Sequence, residues 1–135
     1  IDELINEKKI EPKPYLDEDI TFHDPCYLGR HNGEYDAPRK VLQSVLKEGR
    51  IKEMEQSKSD SFCCGAGGGN MWYEIKTGER INQNRVNQAV GTEAKTIAAA
   101  CNFCNIMLED GVKTTGNEEN VKVLDIAEMV SKGLD

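Results

Sequence analysis

The sequence predicts an α/β fold: an open, mostly parallel sheet of about four strands with helices on both faces. Three observations lead there. Short runs of β-branched, aromatic or small apolar residues recur at Ile20–His23, Ile51–Met54, Thr96–Ala100 and Val121–Leu124, which is strand composition. Elsewhere apolar residues return at helical spacing, and strands alternating with helices are the pattern of a parallel sheet. The length, 135 residues, suffices for one core without disulfide staples.

Residues 1–19 are charged and contain Pro12 and Pro14. They read as a short helix over Ile1–Lys9 and an extended lead-in, with the domain proper over residues 20–135. The strand Ile20–His23 stops at Asp24-Pro25, because the residue before a proline is restricted, and Cys26 lies just beyond. Asp36 as N-cap and Pro38 in the first turn open a helix whose apolar stripe is Val41, Leu42, Val45 and Leu46, with Gly49 closing it. Ile51–Met54 is a weaker strand ahead of a polar turn through Ser57–Ser61. A glycine-rich loop follows, and helical periodicity resumes through Ile81, Val86, Ala89 and Val90. Thr96–Ala100 reads as a small-residue strand buried on both faces, leading into a helix from about Phe103 to Lys113. After the strand Val121–Leu124, Asp125 caps a closing helix marked by Ile126, Ala127, Val130 and Leu134.

The formal charge is −7, and it is unevenly placed. Residues 1–19 carry three bases against seven acids, residues 105–135 the same, and the middle eleven bases against ten acids. Nucleic-acid binding needs clustered Lys and Arg to displace counterions, so no nucleic-acid partner is expected. The acidic ends read as solvated surface. No apolar run approaches the ~18 to 20 residues of a spanning helix, and no signal peptide opens the chain. A chain that starts at Ile1 reads as a soluble piece of a longer protein, with membrane association left to the parent. An odd number of cysteines without a secretion signal fits the reducing cytoplasm, including the cytoplasmic face of a membrane complex.

All five cysteines fall into one pattern: Cys26, then Cys63-Cys64, then Cys101-x2-Cys104. Thirty-six residues separate Cys26 from Cys63, and thirty-six more separate Cys64 from Cys101. In open α/β sheets, ligands sit beyond the carboxyl ends of the strands. Cys26 and Cys101 both follow predicted strands, so two cysteine groups are expected on that edge, with the Cys63 loop joining them. Thiolates select zinc or iron-sulfur clusters. Structural zinc and a cubane cluster each take four protein ligands, so a fifth thiol points to an iron-sulfur assembly with an extra ligand. Gly65, Gly67, Gly68 and Gly69 let backbone amides approach sulfur without side-chain obstruction. A helix starting near Asn102 adds oriented N–H groups beside Cys101 and Cys104, favouring thiolate.

The pattern of a cysteine, Cys-Cys-Gly and C-x2-C at these spacings resembles the cysteine-rich CCG domain found in the B and D components of heterodisulfide reductase, in the iron-sulfur component of glycolate oxidase and in related oxidoreductases. The likeness extends over His23-Asp24-Pro25-Cys26-Tyr27-Leu28-Gly29-Arg30 and Cys63-Cys64-Gly65-Ala66-Gly67-Gly68-Gly69, and covers about residues 20–130. The Gly-Ala-Gly-Gly-Gly tail is similar to the heterodisulfide reductase and electron-transfer-flavoprotein:quinone branch. The resemblance implies a 4Fe-4S cluster, non-cubane in heterodisulfide reductase, held by Cys26, Cys63, Cys64, Cys101 and Cys104 and lined by Gly65 and Gly67. It implies electron relay from a flavin or flavoprotein toward a quinone, or disulfide chemistry, with a flavoprotein or a ferredoxin-like domain as partner. For an isolated piece, zinc or an empty site is the alternative.

Other readings stand beside this one. A zinc-stabilised interaction domain would use the metal to join three loops. Disulfides and an independent thiol enzyme built on Cys26 and His23 rank lower, since a Cys-His pair without a third group is a weak catalytic signal. The glycine loop lacks the Lys-Ser/Thr of a P-loop, which disfavours a phosphate cradle. His23 and His31 are candidate ligands or bases, with His23 read as a hydrogen-bonded strand end. Trp72 and Tyr73 read as core rather than as a cover over the cluster. Phe103 has the better claim to shielding, and Arg30 reads as an ordinary surface arginine.

Overall fold

Three parallel strands carry the fold: β1 (Ile20–His23), β2 (Thr96–Ala99) and β3 (Lys122–Asp125), in that order across the sheet. They come from a computed structural model that describes residues 1–74 and 76–135. Among the described residues five α-helices accompany them: α1 (Asp2–Asn6), α2 (Asp36–Gln43), α3 (Ile81–Gly91), α4 (Asn102–Thr114) and α5 (Ile126–Leu134). The period-2 alternation of strands sorts the side chains between two cores. Ile97 and Ala99 of β2 face Val86, Ala89, Leu108 and Val112 of α3 and α4. Ile20 and Phe22 of β1 and Ala98 of β2 face Val41 and Leu42 of α2 and Met129 and Val130 of α5. A central strand covered on both faces accounts for the small apolar run at 96–99.

Most predicted elements form within a residue or two of their expected bounds, and the differences have local causes. Among the described residues the sheet has three strands, not about four. Ile51 makes only an isolated parallel bridge to Ile20, with the Lys52 N–H donating to the Ile20 carbonyl at 2.7 Å. The chain then bends away, and Met54 enters the α3–α4 core. α1 is shorter than Ile1–Lys9 because Lys8 turns the chain with φ 55°. Asp36 is the first helical residue of α2 rather than its N-cap. The Ala37 N–H donates instead to Glu34 Oε1 at 3.0 Å.

α2 also ends early, at Gln43. The Ser44 hydroxyl donates to the Val41 carbonyl at 2.6 Å, the local competition that suits serine to helix ends. Val45 and Leu46 stay buried for a different reason: the N–H groups of Tyr15 and Leu16 both donate to the Val45 carbonyl at 3.0 Å. Gly49 does not close a helix. A Cβ there would lie 2.1 Å from the Glu18 carbonyl oxygen, so glycine permits two backbones to cross. Residues 1–19 lie along the same face, where Ile5, Ile10, Tyr15 and Leu16 pack on the α2–α5 core and the Tyr15 hydroxyl donates to the Met129 carbonyl at 3.1 Å.

Candidate metal centre

Sheet register sets the floor of the site. His23 ends β1 opposite Ala99 of β2, so the chain leads from neighbouring strand ends to Cys26 and to Cys101 on the same carboxyl edge. Asp24 then fixes the first loop. Its carboxylate accepts two hydrogen bonds from Arg39 of α2, both 2.8 Å, and one from the Lys58 N–H at 2.7 Å. The Ser61 hydroxyl donates to the Asp24 carbonyl at 3.1 Å. Burial pushes this carboxyl up, yet Arg39 and the Lys58 amide hold it below the ordinary carboxylate value. One side chain thus ties the Cys26 loop, α2 and the approach to Cys63 together.

The Cys63-Cys64 segment turns on Gly65, whose φ of 98° is left-handed. Its space is also tight, since a Cβ would lie 3.2 Å from Met107 Cε and 3.3 Å from the Asn82 nitrogen. The Gly65 N–H donates to Cys63 Sγ at 3.2 Å. Gly67 sits beside the same sulfur, and a Cβ there would be at an ordinary 3.7 Å. Gly68 and Gly69 kink the 3₁₀ segment Gly67–Trp72 with φ of 67° and 77°.

The third group stands on α4. Cys101 occupies the N-cap position and Cys104 lies in the first turn, beside the unpaired N–H groups of the helix start. All five cysteines are free, and all five line one cavity of about 320 Å³. The ligating atoms of His23, Cys64 and Cys104, all three residues buried, lie within 4.8 Å of one another. Hydrogen bonding to Cys104, together with burial, pushes the Cys64 thiol up to about 11. Cys63 rises too, through its bond to Cys64 and burial, while the Gly65 and Gly67 amides pull it down. Crowded thiols of this kind keep their protons until a cation makes ionisation favourable.

The family described as "CCG: Cysteine-rich domain" matches residues 20–109. The chain belongs to this family. It is 43% identical over 132 residues to the Bacillus subtilis protein named "Probable iron-sulfur-binding oxidoreductase FadF", covering 98% of this chain and 19% of that protein. It is 43% identical over 139 residues to the EtfAB:quinone oxidoreductase of Syntrophomonas wolfei, with the same shares of 98% and 19%. Against a polypeptide of the dihydromethanophenazine:CoB–CoM heterodisulfide reductase of Methanosarcina barkeri it is 38% identical over 132 residues, covering 98% of this chain and 32% of that polypeptide. The chain therefore spans about a fifth to a third of the length of these relatives. No solved structure matches it.

Beneath the sulfur cavity of this CCG domain lies a residue that sequence reasoning missed. Arg85 of α3 is fully buried. Its Nε–H donates to His23 Nδ1 at 2.9 Å, Nη1 donates to the Gln56 carbonyl at 2.8 Å and to Gln88 Oε1 at 2.7 Å, and Nη2 donates to the Ser61 hydroxyl at 3.2 Å. Burial lowers its pKa to about 10, which leaves it charged at neutral pH. Burial and the Arg85 charge push His23 down to about 3, so the imidazole is neutral. His23 is the hydrogen-bonded strand end that the sequence predicts. The signal for Arg85 was present in the helical period: it falls four residues after Ile81 and four before Ala89, on the inward stripe.

The rim of the CCG domain corrects a second expectation. Trp72 and Tyr73 are not core: they are 79% and 72% exposed. Trp72 ends the kinked 3₁₀ segment and Tyr73 follows it as the C-cap, and Trp72 lines the cavity. Phe103 lines it as well and is also exposed. Arg30 is exposed as expected, and it donates to the Ser61 carbonyl at 2.8 Å from the cavity wall.

Proposed function

We propose that this CCG domain holds a non-cubane 4Fe-4S cluster through Cys26, Cys63, Cys64, Cys101 and Cys104, with Gly65 and Gly67 lining it, and relays electrons within a larger oxidoreductase. The observation that carries the reading is the convergence of five free thiols, from three separate segments, on one cavity. The donor set fits such a group, because it is wholly soft and its Cys64 and Cys104 sulfurs already approach without a disulfide. The names of the relatives, an iron-sulfur-binding oxidoreductase and an EtfAB:quinone oxidoreductase among them, support it.

When bound, a cluster of this class supplies one-electron chemistry. The chain's own part is to hold and shield it. Thiolates come from two strand-end loops and one glycine turn, the Gly65 amide bonds to Cys63, and the N-terminus of α4 lies beside Cys101 and Cys104. Phe103 and Trp72 stand at the mouth. We take a flavoprotein as the electron donor and a quinone as the eventual acceptor in the larger protein, with a ferredoxin-like domain as a neighbouring relay. Disulfide chemistry, after the heterodisulfide reductase relative, is the alternative acceptor side. No helix among the described residues is long and apolar enough to cross a membrane. Free thiols favour a cytoplasmic setting, including the cytoplasmic face of a membrane complex.

Anaerobic purification, or reconstitution with iron and sulfide, tests this reading by metal analysis and EPR. About four irons and about four sulfides per domain are expected. Cys64→Ser and Cys104→Ser, at buried positions, should abolish the signal, and Cys26→Ser, at an exposed one, should alter it while retaining some iron. Stoichiometric zinc without sulfide would instead establish a zinc-stabilised interaction domain. The close approach of His23, Cys64 and Cys104 is the observation that favours this second reading, but it leaves Cys26, Cys63 and Cys101 unused.

A further inference from the structure

We propose that Arg85 and His23 form a built-in donor pair for the sulfur cavity: Arg85 fixes the His23 tautomer, and His23 presents an Nε2–H to the anionic sulfurs rather than serving as a metal ligand. The inference rests on the cluster reading above and concerns residues that lie outside the cysteine pattern.

The first argument is about protons. A guanidinium has donors and no acceptor, so the 2.9 Å bond from Arg85 Nε to His23 Nδ1 requires a lone pair on Nδ1. A neutral imidazole with its lone pair there carries its proton on Nε2. Nδ1 is therefore occupied, and Nε2–H is the ring atom left for the cavity that His23 lines. A ring nitrogen of His23 lies within 4.8 Å of the Cys64 and Cys104 sulfurs, and with Nδ1 taken by Arg85 we assign that approach to Nε2–H.

The second argument is about charge. Arg85 is fully buried, yet its hydrogen-bond partners are an imidazole, a backbone carbonyl, a side-chain amide and a hydroxyl. None carries a negative charge. A buried cation without an anion in contact is costly, so a fold that keeps one has an anion close by. Asp24 and the sulfurs of Cys104, Cys64 and Cys63 are the groups whose negative charge stabilises it. Asp24 is already engaged by Arg39. Arg85 does not itself line the sulfur cavity; its charge reaches the sulfurs from behind His23 and Ser61, which do line it. Arg85 acts through His23, as a positioning residue. Both groups favour the more negative, reduced state, in which one electron is taken up and no bond forms or breaks. Removing them should make reduction harder.

The test uses the protein at its full natural length, purified without air. Iron and sulfide content tests cluster binding separately from the role of the pair. In wild type labelled with ¹⁵N-histidine, pulsed EPR of the reduced cluster should show weak nitrogen coupling and an exchangeable proton. A strong nitrogen coupling, the signature of a histidine ligand, would overturn the proposal. In an EPR-monitored titration, Arg85→Gln should lower the midpoint by the equivalent of at least a tenfold change in the reduction equilibrium, about 59 mV for one electron. Arg85→Lys should recover part of that shift through its charge. An unchanged midpoint in an Arg85→Gln protein with full iron and sulfide would also overturn it. Should no cluster form in any preparation, ¹⁵N NMR of the histidines still decides: His23 protonated on Nε2 supports the pair, and protonation on Nδ1 refutes it.

Discussion

The Asp24 side chain is 2% exposed and faces an Arg39 side chain only 12% exposed, in a bidentate arrangement that a lysine cannot reproduce. Breaking a buried pair from one side strands the other charge. Here Glu53 also accepts from Arg39, at 2.6 and 2.9 Å, which softens the loss. Asp24→Asn is therefore expected to lower unfolding stability by about 3 kcal/mol, read from the denaturant midpoint, and Arg39→Lys by less. Residues such as these explain what a sequence alone conceals. The five cysteines declare themselves by count and spacing, because thiols are scarce and their grouping is chemical. Asp24 and Arg85 are ordinary charged residues until the fold buries them. The exposure of Trp72 and Tyr73 was hidden for the converse reason, since aromatic residues read as core until the fold leaves them exposed.

Among the helices and strands, local signals read well and remote ones did not. Asp125 was legible as a cap because its partners are its own neighbours. It accepts from the Ala127 N–H at 2.7 Å, while Glu128 accepts from the Asp125 N–H at 3.2 Å, a capping box. Asp125 also accepts from Asn105 of α4 at 3.1 Å, linking α5 to the cysteine-bearing helix. Asp125→Ala should cost about 1 kcal/mol of stability, measured by denaturant unfolding, and Asp125→Ser should recover part of it. The docking of residues 45–46 against residues 15–16 and the loss of a strand at 51–54 were not legible. Both depend on segments distant in sequence: Tyr15 and Leu16 capture the Val45 carbonyl, and Met54 is drawn under α3 and α4. Gly49 was recognised as special, yet its constraint comes from the Glu18 backbone rather than from a helix end.

Across the domain, the two edges of the sheet divide their tasks. The cysteines gather at the carboxyl edge, whereas the amino edge is held by charge. Lys122, which starts β3, contacts the Glu18 carboxylate at 2.7 Å, and the Thr96 hydroxyl, which starts β2, donates to it at 3.0 Å. Asp19 beside it accepts from the Arg50 N–H at 2.9 Å and pairs with Lys52 at 3.2 Å. The bond from Lys122 and that from Thr96 hold the Glu18 carboxyl below its ordinary value against partial burial. A carboxyl depressed in the folded state contributes stability that is complete above its unfolded pKa, about 4.3, and disappears as pH falls through the folded value. Glu18→Gln should therefore be less stable than wild type at neutral pH, and the two denaturant midpoints should converge as pH falls below the unfolded pKa and through the lower folded one. The strands separate this edge from the sulfur cavity by roughly 10 Å, far enough for the effects to add independently. Glu18→Gln should accordingly leave the iron content and EPR signal of the site unchanged, whereas a change in either would show that the two edges are coupled through the sheet.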